Sequence, residues 1–93
     1  MATQRIIVSG RVQAVSYRDW TVRTAKKFGL TGWVRNLSDG RVEILAEGEE
    51  EAIGRLIEAC HQGPPLARVD HVSATADTDK AGKGFTKRFT ANV

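Results

Sequence analysis

The 93-residue sequence predicts one α+β domain over residues 1–93: a mostly antiparallel sheet with two helices on one face and an extra C-terminal strand. Two stretches have helical periodicity, around Thr21–Phe28 and around Ala52–Cys60. Short apolar runs flank each of them. Ser38-Asp39-Gly40 falls between two such runs and has the chemistry of a hairpin turn.

The elements follow in order. Arg5-Ile-Ile-Val-Ser9 is a mostly apolar run ended by Gly10, the pattern of a buried strand. Thr21, Ala25 and Phe28 then recur at spacings of four and three, with Arg18, Asp19, Arg23, Lys26 and Lys27 on the polar side of a first helix. Gly29 suits the position just past its end. Gly32–Leu37 reads as a strand, and Arg41–Glu47 as its hairpin partner with Val42, Ile44 and Ala46 on one face. Ala52, Ile53, Leu56, Ile57 and Cys60 form the apolar stripe of a second helix. Glu49, Glu50 and Glu51 suit its positive end, and Gly63-Pro64-Pro65 stops it. Ala67–Ala76 reads as a strand in which Val69 and Val72 differ in parity, so a bulge or a bend is expected. Thr78–Gly84 is a polar loop. Phe85, Lys87 and Phe89 then alternate with Thr86, Arg88 and Thr90 as a last strand. The order β-α-β-β-α-β is that of the split βαβ, or ferredoxin-like, sandwich. That fold hosts many unrelated activities, so function must be argued from a site.

Composition narrows the classes. With 41% hydrophobic and 27% charged residues, the chain resembles an ordinary soluble domain. No apolar run approaches the roughly 20 residues of a membrane helix. Met1 to Arg5 leads straight into strand-like sequence, without a secretory leader, so a cytoplasmic protein is expected. One cysteine, Cys60, excludes an internal disulfide framework, and with only His61 and His71 beside it neither a metal site nor a cofactor is expected. Cys60 lies on the helical stripe and reads as inert core. The net charge of +3 favours anionic partners without separating a phosphate-bearing metabolite from nucleic acid. The aromatic strand motif on which RNA readers stack bases is missing, since neither Arg5–Gly10 nor Arg41–Glu47 holds an aromatic residue. Trp20 and Trp33 read as packing residues. Neither nucleic acid nor membrane is expected as a partner, and nothing demands more than a monomer.

The chemistry concentrates in Gly10-Arg-Val-Gln-Ala-Val-Ser-Tyr-Arg18. This segment joins a strand end to a helix N-terminus, where unpaired amides and the helix dipole favour an anion. A curled loop can aim successive N–H groups into one concavity. Arg18 adds a guanidinium fork that matches two phosphate oxygens.

The same segment resembles the acylphosphatase signature Gly-x-Val-Gln-Gly-Val-x-Phe-Arg. Gly29-Leu-Thr-Gly-Trp-Val-Arg-Asn36, followed by Asp39-Gly40 and Glu47-Gly48, resembles that family's second signature. The resemblance runs from about Arg5 to Val72 and is loose after Thr78. It implies a metal-independent, cofactor-free enzyme that hydrolyses the carboxyl–phosphate bond of small-molecule acyl phosphates, without a covalent intermediate. It maps the catalytic arginine onto Arg18 and the catalytic asparagine onto Asn36. It maps the phosphate-binding loop onto Gln13, Ala14, Val15, Ser16, Tyr17 and Arg18, with inorganic phosphate or sulfate as a site ligand. Residue chemistry agrees: a transferring phosphoryl group needs positioning and charge stabilisation, and an asparagine orients a water without acting as a base. Within the loop, Gln13 reads first as a structural hydrogen-bonder.

Two positions depart from the family pattern. Tyr17 replaces phenylalanine and needs a partner for its hydroxyl if buried. Ala14 replaces glycine. If φ there is positive, the Cβ costs on the order of 1 kcal/mol. If φ is negative, glycine would instead lower stability by about 0.5–1 kcal/mol. Ser16 falls at a variable position. The competing reading is therefore a catalytically weakened acylphosphatase-like module that binds phosphate or another anion.

Overall fold

Side-chain alternation along the strands decides which face of the sheet the helices cover. The computed structural model describes residues 1–93 and contains β1 (Ala2–Arg11), α1 (Tyr17–Lys27), β2 (Thr31–Asn36), β3 (Val42–Gly48), α2 (Glu50–Cys60), β4 (Arg68–Ala76) and β5 (Phe85–Lys87). Ile6 and Val8 of β1, Val34 of β2, and Val42, Ile44 and Ala46 of β3 share one face and are fully buried. They form one cluster with Tyr17 and Ala25 of α1 and with Ile53, Leu56 and Cys60 of α2. Both helices thus lie on the same face, as the sequence predicts. No helix is long and apolar enough to cross a membrane.

The strand order is β4-β1-β3-β2-β5. β1 pairs antiparallel with β3 and β4, and β2 antiparallel with β3. β5 adds to the free edge of β2 in parallel, so the sheet is mixed. The first six elements are the ferredoxin-like βαββαβ sandwich, and β5 is the predicted C-terminal addition.

The parity conflict in β4 is resolved by a bulge. Ser9 pairs with His71 and Gly10 with Val69, which leaves Asp70 as the extra residue. Val69 and Val72 consequently both pack against the core. The bulge presses the β4 backbone onto Gly10, which has φ +127°. A Cβ there would collide with the carbonyl oxygen of Arg68 and lie 2.8 Å from the amide nitrogen of Asp70. The strand does not end at Gly10; it passes through and continues to Arg11.

The last strand departs from its simple alternation. Phe85 is buried, but β5 stops at Lys87 and Phe89 is 95% exposed. Lys87 stands opposite Val34, whereas Ala91 stands opposite Leu37. Four steps along the tail therefore match three along β2, and the surplus residue throws Phe89 outward.

The helix-free face is closed by side chains. Trp33 lies there with Leu45 and Ala81. The guanidinium groups of Arg35 and Arg88 sit 4.6 Å and 4.7 Å from its ring centroid. Glu43 accepts from both Arg5 and Arg35, and Arg5 Nε donates to Asp77 at 2.8 Å. Trp33 is 6% exposed, so it is a packing residue.

Candidate active site

The loop between β1 and α1 is pinned at three points. Val12 and Val15 bury their side chains in the core. Gln13 Nε2 donates to the carbonyl oxygens of Leu37 and Arg41, at 2.7 Å and 2.9 Å, and so clamps the loop to the β2–β3 turn. The structural reading of Gln13 fits this geometry. The backbone turns left-handed at Ala14 (φ 59°), between Gln13 and Val15, and again at Ser16 (φ 63°), just after them. Sequence reasoning raised positive φ at Ala14 alone, because only that position departs from a glycine.

Ser16 is the residue that starts α1, and its side chain caps nothing. The first bond into the helix runs from Trp20 N to Ser16 O, at 2.9 Å. The amides of the preceding turn have no acceptor within the helix, so they are donors at the positive end of its dipole.

A cavity of about 270 Å³ opens at this helix end. Ala14, Ser16, Tyr17, Arg18 and Asp19 form one side of it, Asn36 at the end of β2 another, and Lys87 of β5 a third. The fold thus brings together Arg18 and Asn36, which lie 18 residues apart. Gln13 and Val15 are not part of the wall; only their backbone belongs to the loop that frames it.

Arg18 is half-buried, and its Nη1 donates to the carbonyl oxygen of Arg88 at 3.3 Å. The tail that supplies this carbonyl is itself fixed: Arg88 N donates to Val34 O at 2.8 Å, and Ala91 N to Asn36 O at 3.0 Å. Asn36 Oδ1 is buried without a hydrogen-bond donor. Tyr17 finds the partner its burial demands, donating from its hydroxyl to Cys60 O at 2.7 Å. Burial drives the Tyr17 hydroxyl far above its ordinary pKa and pushes the Cys60 thiol up to about 12, so both are packing groups. Asp19 Oδ1 lies 2.9 Å from Lys87 Nζ. The hydrogen bond from Lys87, then its charge, holds the Asp19 carboxyl below the usual carboxylate range.

Lys87, Asp19 and the Arg88 carbonyl are the parts of this site that sequence reasoning missed. A signal for Lys87 existed: it stands between Phe85 and Phe89 on the inward parity of the last strand, where an apolar residue is the ordinary choice. The other two depend on the path of the tail, which no local pattern encodes.

The family model for acylphosphatases matches residues 4–89. The chain belongs to the acylphosphatase family. An acylphosphatase of Acidiphilium cryptum (strain JF-5) is 46% identical over 90 residues, covering 97% of this chain and 99% of the relative. The crystal structure of acylphosphatase from Bacillus subtilis superposes with a TM-score of 0.89 at 44% identity, covering 95% of this chain and 99% of that one. An acylphosphatase from Coxiella burnetii gives 0.90 at 38% identity, over 94% and 92% of the two chains. The acylphosphatase match extends well past Val72 and takes in Lys87 and Arg88.

Positive φ at Ala14 also decides between the two outcomes left open by the sequence. The Cβ costs on the order of 1 kcal/mol in this conformation. Ala14→Gly is therefore expected to raise the population of the formed loop about fivefold, seen as higher kcat/KM for an acyl phosphate with no fall in urea midpoint. A less stable and no more active Ala14→Gly variant would show that the loop carries this Cβ without strain.

Proposed function

We propose that this acylphosphatase hydrolyses the carboxyl–phosphate bond of small acyl phosphates by seating the phosphoryl group between the loop amides and Arg18, beside a water held by Asn36. The observation that carries the reading is one cavity that brings Arg18, Asn36 and a helix N-terminus together. Amides of the 13–18 loop and the Arg18 guanidinium donate to the phosphoryl oxygens and neutralise the charge that accumulates on them. Hydrogen-bonding to the Arg88 carbonyl holds the guanidinium in place before substrate arrives.

The Asn36 side-chain amide orients the attacking water and leaves an oxygen lone pair free for phosphorus. The water oxygen bonds to phosphorus as the bond from phosphorus to the acyl oxygen breaks. The carboxylate leaves with the bonding pair, and the water's proton passes to a phosphoryl oxygen. A carboxylate is a good leaving group, so the step needs no general acid at the acyl oxygen. Arrangement of charge and water supplies the catalysis. The products are a carboxylate and inorganic phosphate.

In this reading the enzyme works as a monomer in the cytoplasm. Its one cysteine is buried beneath Tyr17 and offers no thiol for an intermolecular disulfide.

Inorganic phosphate tests the seat directly. It is expected to inhibit competitively and to shift the backbone amide resonances of residues 14–18, with affinity that weakens as salt rises. Shifts confined to another part of the molecule would move the site elsewhere.

A further inference from the structure

Lys87 is the cation of the cavity wall to which the mechanism above gives no work. It enters from β5, opposite Val34. Its ammonium rests 2.9 Å from Asp19 Oδ1, in a pair whose side chains are 45% and 54% exposed. A pair this exposed is weak, so an incoming anion can replace Asp19 at little cost. Arg88 cannot substitute for it, because its guanidinium lies over the Trp33 ring on the helix-free face of the sheet. Arg18 and Lys87 are thus the two cationic side chains of the wall. The cavity, about 270 Å³, lies just below the roughly 300–1,000 Å³ range of small-molecule sites. That size suits a phosphoryl group with a short acyl portion beside it.

We propose that Lys87 is a specificity-determining residue, which leaves Asp19 to take a second anionic group on the acyl half of the substrate. The inference rests on the reading that the phosphoryl group sits against Arg18. With Arg18 so occupied, the positive side chain left on the wall is Lys87, available to a charge on the rest of the substrate. An ammonium on a flexible stem accepts a carboxylate or a phosphate as a point charge, without the planar fit a guanidinium imposes. With an uncharged acyl group, Lys87 stays on Asp19 and masks that carboxylate from the phosphoryl group. With an anionic acyl group, it changes partner.

The test compares three probes at low ionic strength: benzoyl phosphate, 4-carboxybenzoyl phosphate and 4-phosphonobenzoyl phosphate. The readout is the ratio of kcat/KM for each charged probe to that for benzoyl phosphate. Lys87→Met is expected to lower the ratio about fivefold for at least one charged probe, mainly through KM. Lys87→Arg should restore most of it. Asp19→Asn, which releases the ammonium, should raise it. The wild-type preference should fade as salt shortens the Debye length to about 10 Å at 0.1 M. An unchanged ratio in Lys87→Met for both charged probes, including equal losses on all three substrates, overturns the proposal. Failure of the wild-type enzyme to hydrolyse any of the three would instead overturn the proposed function, so the two failures are distinct.

Discussion

Arg18→Ala is expected to lower kcat/KM for an acyl phosphate by roughly a thousandfold or more and to weaken inorganic phosphate binding in parallel. Removal of one preorganised donor to a developing oxyanion costs about 10²–10³ in kcat, and this guanidinium is both a donor and the positive charge nearest the helix end. Asn36→Ala should behave differently. It should lower kcat by a comparable 10²–10³-fold while phosphate affinity survives, because the proposed mechanism has Asn36 hold the water and not the phosphoryl group. Stability provides an independent check. Asn36 Oδ1 makes no hydrogen bond within the protein, so its removal breaks no internal bond to that atom. The urea midpoint of Asn36→Ala should hold. A large fall in stability would assign Asn36 to the turn that follows it, and equal loss of phosphate affinity in both variants would defeat the division of labour.

Gly10→Ala is expected to be the most destabilising of the small substitutions near the site. The Cβ would meet the Arg68 carbonyl and the Asp70 amide, which are backbone atoms held by the β4 bulge, and the residue has φ +127°. Backbone strain and overpacking each cost about 1–3 kcal/mol, so a loss of about 3 kcal/mol is expected. In a domain of this size, that corresponds to a fall in Tm of about 15 °C. Gly54→Ala provides the contrast. Gly54 lies in α2 with open space where its Cβ would stand, so alanine should raise stability by up to about 1 kcal/mol. Chemical denaturation of the two variants beside the wild type measures both. A Gly10→Ala protein as stable as the wild type would show that the bulge relaxes away from the added carbon.

Much of this architecture is legible in the sequence because burial imposes periodicity. Val42, Ile44 and Ala46 alternate since one face of β3 meets the helices, and Ile53, Leu56 and Cys60 recur at helical spacing for the same reason. The parity of Val69 and Val72 asks for a bulge or a bend, and the structure decides for the bulge. Arg18 and Asn36 are legible through motif resemblance, and the fold then places them on one cavity. What the sequence hides depends on distance along the chain or on the backbone. The left-handed turn at Ser16 leaves no mark, because serine is ordinary in loops and its side chain caps nothing. The Gln13 clamp joins residues 24 and 28 positions apart through backbone carbonyls that carry no side-chain signature. The outward throw of Phe89 follows from a one-residue mismatch between the tail and β2, to which an alternating pattern is blind.

Hydrolysis of benzoyl phosphate in ¹⁸O-water containing excess EDTA tests the account most directly. The expected result is equimolar benzoate and phosphate, released far faster than in buffer alone and at a rate the chelator does not change. The label should appear in the phosphate, because water attacks phosphorus. Label in the benzoate, or loss of activity on chelation, would contradict the mechanism built on Arg18, Asn36 and the loop amides.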